Sequence, residues 1–187
     1  MNNINILIHL LNNKEKKFTI NQISKDLKIN YRIAHTQVKE LEKEGIIKTE
    51  EAGKALLCSL INKFNEKIFI SEYIRKKKLL QNKDFQAIVE RFEEAKQNYI
   101  LLLFGSYAKN KQTKHSDIDL FAITENEKEI KLISELIPKK IHLTIASYDE
   151  FTKMILTKEL NVGLEVLKNN IILIGIEEFY RLIQNAQ

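Results

Sequence analysis

The first sixty residues combine helical and strand-like spacing of apolar positions. Apolar residues recur at intervals of three and four, which predicts two helices: Ile4, Leu7, Ile8 and Leu11 in one, and Ala34, Val38 and Leu41 in the other. Thr19 and Gln22 fit a capping box, which predicts a short helix between these two. Gly45 ends the last of them, and residues 46–61 predict two strands around a turn at 51–53.

This order of three helices and a β-hairpin resembles the winged helix-turn-helix fold over residues 1–60. In that family the third helix enters the major groove of DNA. Here the outer face of that helix carries side chains that can contact phosphates or base edges: Tyr31, Arg32, His35, Thr36 and Lys39. The same residues also fit a solvated surface, and winged helices serve as docking or dimer modules as well. The resemblance therefore implies DNA and a second copy of the chain as expected partners.

Residues 61–98 predict charged linking helices. An apolar stripe runs through Phe85, Ile88, Val89 and Phe92, and a basic run covers residues 75–78. Such a run fits either a solvated face or a surface near a bound polyanion.

Residues 99–187 alternate between apolar runs and amphipathic stretches. Strands are predicted at 99–104, 117–124, 140–146 and 170–175, and helices from Ser106 onward and at 125–137, 148–159 and 176–184. The chain is thus predicted to be a two-domain α+β protein: a winged helix-turn-helix at 1–60, a helical linker at 61–98 and a mixed α/β domain at 99–187.

Charge and cysteine content narrow the classes of partner. The net charge is +5, with +3 in residues 1–60, +3 in residues 61–98 and −1 in residues 99–187. The basic first half favours nucleic acid, although a lysine-rich solvated surface would look the same. The single cysteine, Cys58, excludes an intramolecular disulfide and lies in an apolar run typical of a core. The chain has no apolar run of the length of a membrane span and opens on polar residues, so a cytoplasmic protein is expected.

Two carboxylates one residue apart interrupt the apolar run at 117–124. Asp117 and Asp119 share one face of the predicted strand, where they repel each other unless a cation or solvent separates them. Mg²⁺ suits such a pair, because it is held by one or two carboxylates together with substrate phosphates. Upstream, the step from strand to Gly105-Ser106 to helix exposes backbone N–H groups that suit a phosphate. Taken singly, a solvated strand edge and a simple turn would explain these residues.

Taken together, these residues resemble the signature of the DNA polymerase beta-like nucleotidyltransferase superfamily. That signature is Gly-Ser, ten intervening residues, then Asp-x-Asp, as between Ser106 and Asp117 here. Tyr107-Ala108-Lys109, Ser116 and the closing segment 170–182 are similar to the minimal nucleotidyltransferase branch. The resemblance implies that Gly105, Ser106, Lys109 and Ser116 bind the nucleotide. It also implies that Asp117 and Asp119 are the catalytic ligands of two Mg²⁺ ions.

The sequence departs from this pattern where a third carboxylate is usual. The strand at 140–146 carries His142 and Thr144 on the face that should point at the site. Glu150 follows that strand, but with Ser147 it fits a capping box. In the loop, Asn110 stands where glycine is common.

Two functions are consistent with these residues. One is a Mg²⁺-dependent enzyme that transfers NMP, in the first place AMP from ATP, to a protein or small-molecule acceptor. Minimal members are often antitoxins that nucleotidylate a HEPN-domain toxin, and the resemblance implies that partner. The other is a catalytically degenerate nucleotide-binding regulator that binds DNA. The two are compatible in a self-repressing antitoxin, and the sequence favours the enzyme.

Overall fold

The computed structural model describes residues 3–157 and 159–186. Backbone contacts divide the chain into two units, Met1–Glu72 and Tyr73–Gln187. The division falls inside one continuous helix, α4 (Glu66–Leu79).

The first unit contains three helices and a small sheet. Its elements are α1 (Asn3–Leu11), β1 (Phe18–Thr19), α2 (Ile20–Asp26), α3 (Tyr31–Lys43), β2 (Ile47–Ala52) and β3 (Ala55–Leu60). The strands are antiparallel in the order β1-β3-β2. The capping box predicted at the start of α2 is confirmed, since Gln22 N donates to Thr19 Oγ1 and Thr19 N donates to Gln22 Oε1.

The core of the first unit contains the predicted apolar face of α3, but the face predicted for α1 is only partly correct. Ile4 and Ile8 are half-buried, and the buried residues of α1 are Ile6, Leu7, Leu10 and Leu11. Leu7, Ala34, Val38 and Leu41 have no exposed surface, and neither does Cys58 on β3. Burial, with a smaller contribution from the charge of Glu42, raises the pKa of the Cys58 thiol to about 11. The thiol therefore stays protonated and is a packing group, as predicted.

The second unit is a mixed sheet with helices. Its elements after α4 are α5 (Lys83–Phe92), β4 (Ile100–Leu103), α6 (Gly105–Ala108), β5 (Ile118–Ile123), α7 (Glu127–Glu135), β6 (Ile141–Ala146), α8 (Tyr148–Leu156), α9 (Val162–Lys168), β7 (Ile171–Ile174) and α10 (Ile176–Asn185). The strand order is β6-β5-β4-β7, and only the β5–β6 pair in this order is parallel.

The two faces of β5 have different neighbours. Ile118 and Leu120 join the core cluster that includes the buried stripe of α5. On the other face the ring of Phe121 lies 5.6 Å from that of Phe151 on α8. Asp117 and Asp119 continue the Phe121 face toward the start of the strand, because side chains alternate along it.

Helix α9 was not predicted from the sequence. It has only seven residues. Asn161 precedes it as the N-cap, and its side-chain oxygen accepts a hydrogen bond from Leu164 N. So short a helix shows too few apolar repeats for its spacing to reveal it. Across the described ranges, no helix has the length and apolar character needed to span a membrane.

His9 makes the stability of the first unit sensitive to acid. Its ring lies edge-on to Phe18, with centroids 4.6 Å apart, and its Nε2 lies 3.3 Å from Asp26 Oδ2. Burial lowers the pKa of His9 below 6.5, and the charge of Asp26 only partly opposes this. Because the unfolded chain then binds the proton more tightly, stability should fall as the pH drops through the unfolded value of His9.

We therefore expect α1 to lose hydrogen-exchange protection between about pH 7.5 and about pH 5, after correction for intrinsic exchange rates. A His9→Gln variant should lose less protection over this interval, whereas His115→Gln, in an exposed loop, should behave like the unaltered chain. Equal losses in the His9→Gln variant and the unaltered chain would contradict the assignment.

Candidate functional site

The antiparallel pairing of β4 with β5 brings Gly105 next to Asp119. Leu103 pairs with Leu120, and Phe104 N donates to Asp119 O at 3.0 Å. The chain then turns at Gly105 into α6. The glycine that ends one strand therefore lies beside the second carboxylate of the next strand.

Gly105 is required here by its conformation and by the space around it. Its φ of +67° lies in the left-handed region that disfavours residues with a side chain. A β-carbon at this position would overlap Oδ2 of Asp119 and lie 2.9 Å from its Cγ. The carboxylate of Asp119 thus packs directly on the glycine α-carbon.

The start of α6 offers hydrogen-bond donors next to this carboxylate. The first N–H groups of a helix have no partner within the helix, and no side chain caps α6. Among the described residues, the hydroxyl of Ser106 also makes no hydrogen bond. These donors can bind an anion close to Asp119.

Asp117 has one oxygen that lacks a hydrogen bond. Its Oδ1 is buried, and no described residue donates a hydrogen bond to it. Nζ of Lys140 lies 2.9 Å from this oxygen, so the two groups form an ion pair. The geometry of this contact is not that of a hydrogen bond. The Lys140 side chain is 81% exposed, so the pair is screened by solvent and easily broken.

The parallel pairing of β5 with β6 places His142 opposite Asp119. The two are register partners, and Nδ1 of His142 lies 3.3 Å from Oδ1 of Asp119. Thr144 pairs with Phe121, two residues further along both strands. The predicted histidine thus occupies the position next to the carboxylate pair.

Glu150 is committed to capping α8. Glu150 N donates to Ser147 Oγ and Ser147 N donates to Glu150 Oε2, which confirms the predicted capping box. These hydrogen bonds lower the pKa of the Glu150 carboxyl.

The carboxylate pair fits a divalent cation in part. An acceptor-only oxygen without a hydrogen bond, beside a second carboxylate, is the donor chemistry of a hard cation. However, no group of three or more His, Cys, Asp or Glu residues suited to a metal occurs within 3–157 and 159–186. Any cation held here would need its remaining ligands from water or from a phosphate.

The loop between α6 and β5 uses two predicted nucleotide ligands for its own structure. Lys109 Nζ donates to Glu165 Oε1 on α9 at 3.0 Å. Ser116 Oγ accepts a hydrogen bond from Thr113 N at 2.9 Å. Asn110 has a φ of +52°, in the left-handed region that glycine adopts easily. Asparagine tolerates this region better than most other residues, so it can stand where glycine is common.

The residues predicted to bind nucleic acid lie along α3. Tyr31, Arg32, Thr36 and Lys39 are exposed, and His35 is half-buried, with its ring centroid 6.2 Å from that of Tyr31. Two of the set have intrachain partners. Thr36 Oγ1 donates to Arg32 O, and Lys39 Nζ donates to Glu42 Oε2 at 2.7 Å.

Sequence reasoning missed two charged residues of the carboxylate site and its loop. Lys140 shares a strand face with His142 by two-residue alternation, so it could have been found once β5 and β6 were known to pair. Glu165 had no such signal, because it lies on the helix that was not predicted.

Comparison with known proteins supports one assignment. The family model described as "Nucleotidyltransferase domain" matches residues 86–180. Searches of curated proteins and of solved structures found no match. The match spans just over half of the chain and includes Gly105, Ser106, Asp117 and Asp119. The chain belongs to the nucleotidyltransferase domain family.

Proposed function

We propose that this protein transfers a nucleoside monophosphate from a nucleoside triphosphate, with ATP favoured, to a hydroxyl group on a protein or small-molecule acceptor. One observation carries the proposal: the Asp119 carboxylate packs on Gly105, at the uncapped start of α6. Donors for a phosphate and ligands for a cation therefore lie side by side. Nucleotidyl transfer needs that combination, since the acceptor oxygen attacks the α-phosphate and pyrophosphate leaves.

Each residue has a separate task in this proposal. The N–H groups at Gly105 and the Ser106 hydroxyl hold and orient the triphosphate. Asp117 and Asp119 hold the cation, for which Mg²⁺ is the natural candidate. When bound, a divalent cation would offset charge on the phosphates and polarise the α-phosphate. Lys109 can reach a phosphate only after leaving Glu165.

A second function is favoured by the groups around the carboxylates. His142 stands beside Asp119 where a third carboxylate is expected, and Lys140 pairs with Asp117. A site with two carboxylates can bind a nucleotide with its cation yet activate an acceptor hydroxyl poorly. The alternative is therefore a nucleotide-binding regulator without transferase activity.

For the first unit we propose a winged helix-turn-helix that binds DNA through α3. Its three helices and antiparallel hairpin, together with the exposed Arg32, support this reading. With a transferase domain in the same chain, an antitoxin that modifies a HEPN-type protein and represses its own gene is the biological role we propose.

Removing either carboxylate should abolish transfer. With ATP labelled at the α-phosphate, MgCl₂ and a cell lysate as the source of acceptors, we expect Asp117→Asn and Asp119→Asn to lower labelling by at least about 100-fold, because each removes a cation ligand. Asp149→Asn is the matched control, since Asp149 is 75% exposed and pairs with Lys153 on α8. Labelling that is unchanged in both site variants would refute the transferase proposal. If the unaltered chain transfers no label but binds ATP, the regulator is favoured.

Lys140 should compete with the cation for Asp117. We expect Lys140→Ala to tighten Mn²⁺ binding by about two- to fivefold without nucleotide, because an exposed ion pair contributes little and its loss frees Oδ1. Electron paramagnetic resonance of free Mn²⁺ measures this without any activity assay. Lys139→Ala is the control, since Lys139 pairs with Asp84 instead. Weaker binding, or the same affinity in both variants, would contradict the competition.

Arg32 should contribute more to DNA binding than Lys39. Lys39 already pairs with Glu42, whereas the exposed Arg32 guanidinium makes no hydrogen bond or ion pair to the described residues. In gel-shift titrations with a duplex from upstream of the chain's own gene, Arg32→Ala should weaken binding and lower the salt slope by about one. Arg181→Ala, an exposed arginine on α10, serves as control. An Arg32→Ala variant that binds like this control would argue against α3 as the reading helix.

A further inference from the structure

Helix α4 has an unusual distribution of polar and apolar side chains. Its buried residues include Ser71 and Glu72, neither of which is exposed, and Arg75, which is 5% exposed. Its exposed side carries four large apolar residues whose exposure lies between 38% and 53%: Phe69, Ile70, Tyr73 and Ile74. A surface helix normally buries its apolar face, so this exposed row, the α4 stripe, lacks its expected cover.

Contacts on the buried side hold the helix in this orientation. Within the first unit, Lys14 Nζ lies 3.4 Å from Glu72 Oε1. Within the second, Arg75 Nη2 donates to Asn170 O at 2.7 Å. Turning α4 to bury the stripe would break these buried charge contacts and would expose Ile68, which is 1% exposed, so this rotation is costly.

Opposite charges stand at the two ends of the α4 stripe. Glu66 lies in the first turn of the helix and Lys77 in the last. At about 100° per residue, both fall on the same side of the helix as Phe69 and Tyr73. Both are exposed, and neither has an ion-pair partner among the described residues.

We propose that a second copy of this chain covers the α4 stripe, with the two α4 helices antiparallel about a two-fold axis. The axis passes between residues 71 and 72, the midpoint of the stripe. Glu66 of each copy then lies opposite the partner's Lys77, and Phe69 and Ile70 pack against the partner's Ile74 and Tyr73.

Charge complementarity favours a second copy over an unrelated partner. A two-fold interface must be complementary to itself, so an acidic group on one side of the axis requires a basic group at the same distance on the other. Glu66 and Lys77 meet this requirement, with the apolar residues between them. A parallel arrangement would instead place like charges together.

The dimer should be weak. The helix segment from Glu66 to Lys77 is about 16 Å long, at about 1.5 Å per residue. One helix pair of this length buries less than the roughly 800 Å² per partner of a standard interface, so we expect association that depends on concentration in the micromolar range. This expectation concerns association alone and does not depend on the proposed transferase activity.

Sedimentation equilibrium of the full chain tests the proposal. Between about 1 and 500 µM, the mass should rise from 21.9 kDa toward twice that value. Tyr73→Glu should raise the dissociation constant at least about tenfold, because it places a charge in the centre of the apolar row. Glu66→Lys should also weaken the dimer, since it creates two like-charge contacts, and adding Lys77→Glu to it should restore association. Lys54→Glu is the matched control, because Lys54 is also an exposed lysine but lies in the turn between β2 and β3, outside α4.

Three outcomes would overturn the proposal. These are a monomer throughout the concentration range, a dimer that persists in Tyr73→Glu, and a Glu66→Lys/Lys77→Glu variant that remains as weak as Glu66→Lys. All these positions are exposed, so each variant should give the circular dichroism spectrum of the unaltered chain. This measurement distinguishes a loss of association from a loss of folding.

Discussion

The contact between Gly105 and the Asp119 carboxylate is the constraint on which the candidate site depends. It requires β4 and β5 to pair in one register, so that the end of one strand meets the start of the other. It also requires a residue without a side chain in a left-handed conformation, which directs the chain into α6. The proposed phosphate donors and the proposed cation ligands become neighbours only because all of these conditions hold together.

Two charged groups of the candidate site, Lys109 and Asp117, already have partners of opposite charge within the chain. Lys109 is held by Glu165 and Asp117 by Lys140, and each pair includes side chains in contact with solvent. Binding of a nucleotide and its cation would therefore replace these ion pairs with new ones. Each new contact would then contribute less binding free energy than a contact to an unpaired charge. If the proposed function holds, nucleotide affinity depends on how well the phosphate fits the first N–H groups of α6, which have no competing partner within the helix.

Features that depend on near neighbours in sequence could be predicted, and those that depend on distant ones could not. Both capping boxes were predicted correctly, since each involves two residues three positions apart. The apolar stripe of α5 and the two faces of β5 followed from periodicity. Lys109 and Glu165, in contrast, lie 56 positions apart and meet only in the folded chain. The orientation of α4 was equally hidden, because polar residues on its buried side depend on contacts outside the helix.

The parallel register of β5 and β6 links the integrity of the site to that of the core. Asp119 faces His142 while the next residue, Leu120, faces Leu143 in the apolar cluster. A slip of one residue would put an apolar side chain beside the carboxylate and a polar one into the core at the same time. A chain with this shifted register would therefore be less stable, in addition to having a misaligned site. Selection for a stable fold therefore also preserves the alignment of the site, even at positions where no ligand is touched.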